Sequence, residues 1–196
     1  MVNRLSDKKY SWHEAVELLI PEMITAGLLG HAYSCPDMIG GGLYTTFADV
    51  EENGVDQDLI VRSCQTHALM PMMQFSIAPW RVLDSTHLEA CRKGAELHQK
   101  MGGYILSLAR ESAQTGEPIL RHMEYEFPHQ GFERCEDQFM LGDKYLVAPV
   151  INKEGHRTVL LPQGVWKDDT GQEITGPQTI EMDVPLERLP YYERIR

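Results

Sequence analysis

The chain has 196 residues, of which 42% are hydrophobic and 24% charged, with a formal net charge of -11. This is a globular composition, long enough for one ordinary domain or two small ones. The carboxylate excess argues against a nucleic-acid partner, because neutralising phosphates takes clustered Lys and Arg.

No apolar run reaches the length of a membrane span, and the longest candidate, Ala26 to Ala32, is broken by Gly27 and Gly30. The first residues lack the apolar core of a signal peptide, although a truncated product would equally lack one. Cys35, Cys64, Cys91 and Cys135 stand far apart with no C-x-x-C, so neither zinc nor a disulfide framework is expected. Free buried thiols in a reducing, cytoplasmic setting fit that pattern. The eight histidines show no metal-ligand spacing, so no metal and no cofactor is expected.

Ser11 followed by Glu14 has the spacing of a capping box. An apolar stripe follows at once, from Trp12 through Val16, Leu19, Ile20 and Met23 to Ile24, and predicts a helix ended by Gly27 and kinked at Pro21. Leu28 to Cys35 reads as a short buried strand, and residues 43–54 as a polar loop. A second helix fits Asp56 to Ala68, with Leu59, Ile60, Cys64 and Ala68 inward, and Met70 to Phe75 reads as another strand. A long helix starts near Thr86, with Glu89 three residues on, and stops at Thr115-Gly116.

Helix and strand alternate up to that point, as in a parallel α/β layer. After Gly116 the texture changes to short strands, at Ile119 to Phe127, Lys144 to Ile151, Thr158 to Leu161 and Thr179 to Val184. Asp168-Asp169-Thr170-Gly171 is a turn signal among them. The expectation is α/β plus all-β, with residues 1–116 forming the α/β part and residues 117–196 an antiparallel β-sandwich. A closed (β/α)8 barrel takes about 250 residues, so the first part is either a compact layer or the end of a barrel.

Three stretches carry potential chemistry. Arg4-Leu5-Ser6-Asp7 precedes the first helix, and Cys35-Pro36-Asp37-Met38-Ile39-Gly40-Gly41-Gly42 sets one carboxylate before three glycines. The third is Met70 to Arg81, which holds Gln74, Ser76, Trp80 and Arg81. Alone, Asp37 could be a solvated turn residue and Asp7 a charge favoured near a helix start. Gathered at one end of parallel strands, the three would suit a sugar, with carboxylates for the hydroxyls and an aromatic face for the ring.

These residues resemble the C-terminal part of a glycoside hydrolase of family 31, in its myogenesis-regulating glycosidase branch. Besides the three stretches, Gln138-Phe139-Met140-Leu141-Gly142-Asp143 running into Leu146-Val147-Ala148-Pro149-Val150 carries the likeness. So does Leu161-Pro162-x-Gly164-x-Trp166 with Thr170-Gly171 after it. The resemblance implies the end of a (β/α)8 TIM barrel followed by a β-sandwich, and a retaining α-glycosidase acting on a carbohydrate substrate. It puts Asp7 on the general acid/base position and Asp37 on a substrate-binding carboxylate. Gln74, Ser76, Trp80 and Arg81 would be substrate contacts. Many members carry Arg-x-His where this chain has Gln74-Phe75-Ser76, a departure that points away from α-glucosides and towards α-galactosides.

The family nucleophile lies in a Trp-x-Asp segment upstream of the acid/base. Here the one such triplet is Trp166-Lys167-Asp168, beside a turn in the predicted sandwich, so the nucleophile is expected to be missing and the chain alone inactive. Two alternatives stand beside this reading: a non-catalytic carbohydrate-binding or scaffolding fragment that complements another chain, and an α/β-plus-sandwich domain unrelated to sugars. Exposed barrel surface would favour association with a partner.

Overall fold

The computed structural model describes residues 2–42 and 54–196. The polar loop expected at 43–54 falls almost wholly outside these residues. Strand β1 (Asn3–Arg4) pairs in parallel with β2 (Ser34–Cys35), in register Asn3 to Ser34 and Arg4 to Cys35. Between them lie a π-helical turn (His13–Glu17) and α1 (Leu19–Leu28). Ser11 Oγ accepts from the Glu14 amide at 3.1 Å, so the capping half of the predicted box is formed.

The helix does not kink at Pro21. Its break lies at Leu18, between the π turn and α1, which makes Pro21 the third residue of α1. Amides of a first helical turn have no intrahelical acceptor, so a proline there forfeits nothing. The expected strand at 28–35 shrinks to two residues, because α1 runs on to Leu28 and Gly30 then turns the chain at φ 87°.

Helix α2 (Gln57–Ala68) is capped by Asp56, whose Oδ1 accepts from the Leu59 amide at 3.2 Å. It is buried all round from Leu59 to Ala68, polar residues included. The strand expected at Met70–Phe75 does not form. Met70 closes the end of α2 by donating to the His67 carbonyl at 2.9 Å, Pro71 follows, and Phe75 alone makes a parallel bridge, to Ile39. After a 3-10 turn (Pro79–Arg81) comes α3 (Ser85–Thr115). Asp84 caps it through the Thr86 and His87 amides, and Gly116 ends it in the left-handed region at φ 82°.

Beyond Gly116 the elements are β3 (Leu120–Arg121), the short helix α4 (Met123–Glu126), β4 (Phe139–Leu141) and β5 (Tyr145–Val147), then β6 (His156–Asp168), β7 (Glu173–Asp183) and β8 (Tyr191–Arg194). The strand expected over Ile119–Phe127 therefore ends at Arg121 and gives way to helix, since His122 Nδ1 accepts from the Glu124 amide and caps α4. The six strands form one antiparallel sheet in the order β3-β4-β5-β8-β6-β7. Together with the first layer this makes a mixed α/β fold.

Both faces of this sheet are covered, which is why β4 is buried at every position. Phe139, Leu141 and Val147 face the helices and share a core with Leu19, Ile24, Ile105 and Leu108. Met140, Leu146 and Tyr192 face the other way, into a core with Phe127, Val159, Leu161 and Trp166. Val159 and Leu161 can share that core with Trp166 because a one-residue bulge between Leu161 and Gly164 shifts the register. The outer half of β6 returns to Gln138, whose side-chain amide bonds both the amide (2.9 Å) and the carbonyl (2.8 Å) of Leu160. The sheet thus closes over its second core in a sandwich-like way.

Candidate active site

Parallel pairing of Arg4 with Cys35 sends the chain out of β1 and β2 at the same end, towards Asp7 and Asp37 respectively. The carboxyl ends of strands are where α/β folds bind ligands. Arg4 joins the two acids. Its Nη1 lies 2.6 Å from Asp7 Oδ1, and its Nη2 donates to Asp37 Oδ1. The hydrogen bond that Arg4 donates to Asp7, and then the charge of Asp37, hold its guanidinium above its ordinary pKa against some desolvation.

Asp37 is fully buried, and its second oxygen accepts from the Lys8 amide at 2.8 Å. Its backbone sits at φ 93°, in the region that side chains rarely adopt, so the surrounding contacts must hold it there. Those contacts are numerous. Cys35 Sγ reaches the Asp37 carbonyl at 3.5 Å, and Ser63 Oγ accepts from the Gly40 amide at 3.1 Å. Ser76 Oγ bonds the carbonyls of Ile39 (2.9 Å) and Gly41. The Ile39 amide donates to the Gln74 carbonyl at 2.7 Å. Glycine is required at two places: a Cβ on Gly41 would stand 2.8 Å from the Lys8 carbonyl, and one on Gly42 2.5 Å from Asp37 Oδ1.

Asp7, by contrast, has its side chain 51% exposed and open to a ligand. Gln74 is exposed, and its backbone rather than its side chain ties it to the Asp37 loop. Ser76 is half-buried and spends its hydroxyl on that loop. Trp80 is 72% exposed on the 3-10 turn, with the exposed Arg81 next to it. So Asp7 and Asp37 are joined directly through Arg4, and Gln74 and Ser76 through main-chain contacts, while Trp80 and Arg81 belong to a separate turn.

Beneath the loop lies His67 of α2, whose Nδ1 meets the Ser63 carbonyl at 2.7 Å. Burial pushes its pKa down to about 4, against the opposing pull of Ser63 and Asp37. Sequence reasoning gave no role to Arg4, Lys8, Ser63 or His67. Arg4 had a visible signal, the Arg-x-x-Asp spacing; the others had none.

Trp166-Lys167-Asp168 is no second acid site. Trp166 is fully buried in the sheet core, and Asp168 Oδ1 accepts from the Thr170 and Gln172 amides and the Thr170 hydroxyl to build the turn. Desolvation acts on Asp168, but these bonds and Arg188 outweigh it and hold the carboxyl below its usual range. Among the described residues no cluster of three or more His, Cys, Asp or Glu side chains could hold a metal ion, and no helix is long and apolar enough to cross a membrane.

Residues 116–195 match the C-terminal domain of glycosyl hydrolase family 31. The chain is 34% identical over 191 residues to the myogenesis-regulating glycosidase of Mus musculus, covering 94% of itself and 26% of that protein. It is 30% identical over 163 residues to an alpha-glucosidase of Saccharolobus solfataricus, covering 80% of itself and 23% of the relative. Among solved structures, a dextranase of the same family from Flavobacterium johnsoniae, complexed with isomaltotriose, superposes with a TM-score of 0.84 at 27% identity. That match covers 94% of this chain and 23% of the dextranase. A cycloalternan-degrading enzyme from Trueperella pyogenes shares the fold with a TM-score of 0.85 at 23% identity, over 100% of this chain and 29% of that one. The chain spans about a quarter of the length of the relatives it matches.

A parallel strand-helix layer joined to an antiparallel sheet, with these relatives, puts the chain among the glycoside hydrolases. It belongs to glycoside hydrolase family 31, as a C-terminal portion of the kind found in that family.

Proposed function

We propose that the chain is part of a retaining α-glycosidase, with Asp7 as its general acid/base. The observation that carries this is the Arg4 bridge: a solvent-facing carboxyl and a buried one are tied to a single guanidinium at the carboxyl ends of paired strands. In that role Asp7 would protonate the leaving-group oxygen, then lose its proton and activate water against a glycosyl intermediate. Asp37 belongs to the sugar-binding wall with Gln74 and with Ser76, which braces its loop, while Trp80 and Arg81 would contact the sugar from their separate turn. Residues 1–116 are the end of a (β/α)8 barrel, and residues 117–196 its sandwich domain.

A retaining mechanism needs two carboxyl groups about 5 to 5.5 Å apart. This chain supplies the acid/base without a nucleophile segment, so it is inactive by itself. Turnover of nitrophenyl α-galactoside and α-glucoside by the purified 196-residue protein is the test. The expected result is none, and turnover lost in Asp7→Asn would overturn the claim of inactivity. With the missing barrel strands supplied by co-expression, the galactoside should be the better substrate, because Gln74-Phe75-Ser76 replaces Arg-x-His.

A second reading, a fragment that complements another chain, has one observation in its favour. Val2, Leu28 and Leu29 are 66%, 58% and 72% exposed at the open side of β1 and the end of α1.

A further inference from the structure

A second concave site lies in the sheet half, away from the segments that carry Asp7, Asp37 and Gln74. It lies beside the bulge at Leu161–Gly164, between the β6–β7 hairpin and the loop before Phe132. Leu161 and Phe132, 2% and 5% exposed, form its floor as the rim of the second core. Gln130, Gln163 and Gln178 stand around it with their side chains in solvent. The Gln130 side-chain oxygen accepts from the Gln163 amide at 3.2 Å, which fixes one side of the rim and leaves the Gln130 NH2 as a donor.

The lining contains no ionisable residue, although 24% of the chain is charged and its net charge is -11. An ionic ligand would find no counter-charge here, and a metal no ligand set. A proline-rich peptide would need an exposed aromatic groove, and the one aromatic residue here is buried in the floor. Primary amides both donate and accept, as sugar hydroxyls do, and the leucine and proline surfaces between them match the C–H face of a pyranose.

We infer that this cleft binds a neutral oligosaccharide, separately from the Asp7 site. It would hold a glycan by side-chain amides, with no chemistry performed on it.

The test is a titration of the 15N-labelled 196-residue chain with isomaltotriose, followed by NMR. Backbone resonances of Gly131, Gln163, Gln178 and Thr179, and the side-chain NH2 signals of the three glutamines, should move and saturate, with a dissociation constant on the order of 1 mM. Gln163→Ala and Gln178→Ala should each weaken binding about fivefold, the loss of one net hydrogen bond. Asp7→Asn should leave it unchanged. These glutamines are exposed, so their loss will not unfold the chain, and circular dichroism checks this. Unmoved resonances, shifts that survive both glutamine variants, or equal shifts with glycerol or a polyproline peptide would each overturn the inference. Because the readout is binding and not turnover, its failure leaves the Asp7 reading standing, and the reverse holds too.

Discussion

Arg4 and Asp37, thirty-three residues apart, form an ion pair in which the carboxylate is fully buried and the guanidinium partly solvated. That asymmetry predicts unequal costs on breaking the pair. Arg4→Ala strands a buried charge that keeps, among the described residues, the Lys8 amide as its donor, and should cost about 3 kcal/mol. Asp37→Asn leaves a cation that water can reach, and should cost about 1 to 2 kcal/mol. Urea midpoints of the two variants decide the order; equal costs would show that the burial of Asp37 makes no difference to which partner is lost.

Gly42 limits how this pair can vary. A methyl group there would sit 2.5 Å from Asp37 Oδ1 and 2.8 Å from Arg4 Nη2, inside the ion pair itself. Gly42→Ala should therefore push Arg4 away and destabilise the chain by about 1 to 3 kcal/mol, as overpacking does. Combined with Arg4→Ala, its cost should shrink, because the crowded atoms are gone. A double-mutant cycle measures this, and full additivity would argue against the clash.

The helices were legible in the sequence because apolar spacing and caps are local. Asp56 to Ala68 and the stop at Gly116 needed no tertiary information, and the turn at Asp168–Gly171 was written in its own side chains. The strands were less legible. Leu28 and Leu29 look like strand residues yet lie at a helix end in solvent, and of Met70 to Phe75 only Met70 is fully buried, in the helix-side core, while Phe75 makes a single bridge to Ile39. The candidate site could be read only as separate motifs. Motif spacing pointed to Asp7 and Asp37, but nothing local says that Arg4 joins them or that the hydroxyl of Ser76 faces the main chain. The first arises from the parallel register of β1 and β2, and the second goes with the bridge between Ile39 and Phe75, both of which only folding sets.

Arg62 ties α2 to the segment between β7 and β8. Buried on α2, it donates to the carbonyls of Val184 (2.7 Å), Pro185 (3.3 Å) and Arg188 (3.2 Å), and to Gln65 Oε1 (2.9 Å). Gln65 Nε2 adds a bond to the Leu186 carbonyl at 2.6 Å. The two side chains together meet four carbonyls of the segment between β7 and β8. Arg62→Met keeps the volume and loses the donors, so the buried carbonyls go unmet, and a cost of about 3 kcal/mol is expected. Hydrogen exchange should rise first over residues 184–188; exchange rising evenly over the chain would show that Arg62 is not a local clamp.

The last expectation concerns acid. His67 is buried beneath the Asp37 loop with its pKa pushed down to about 4, among Ser63, Asp37 and His98. An unfolded histidine titrates near 6.5, so between the two values the unfolded chain holds a proton that the folded chain refuses. Stability due to this group is therefore full above about pH 6.5 and falls as pH drops, by about 3 kcal/mol at pH 4. His87 acts in the opposite sense. Burial pulls its pKa down, but Asp84 and Asp58 outweigh that and leave it raised, so its stabilisation is complete below pH 6.5 and fades at higher pH. Comparing His67→Gln with the wild type cancels His87 and the carboxylates, because both proteins share them. Glutamine keeps an N–H for the Ser63 carbonyl and cannot gain a proton. Urea unfolding at pH 7 and pH 4 should show the variant losing about 3 kcal/mol less than the wild type. Equal losses in the two proteins would mean that His67 is already protonated in the fold, and that its burial costs the chain nothing in acid.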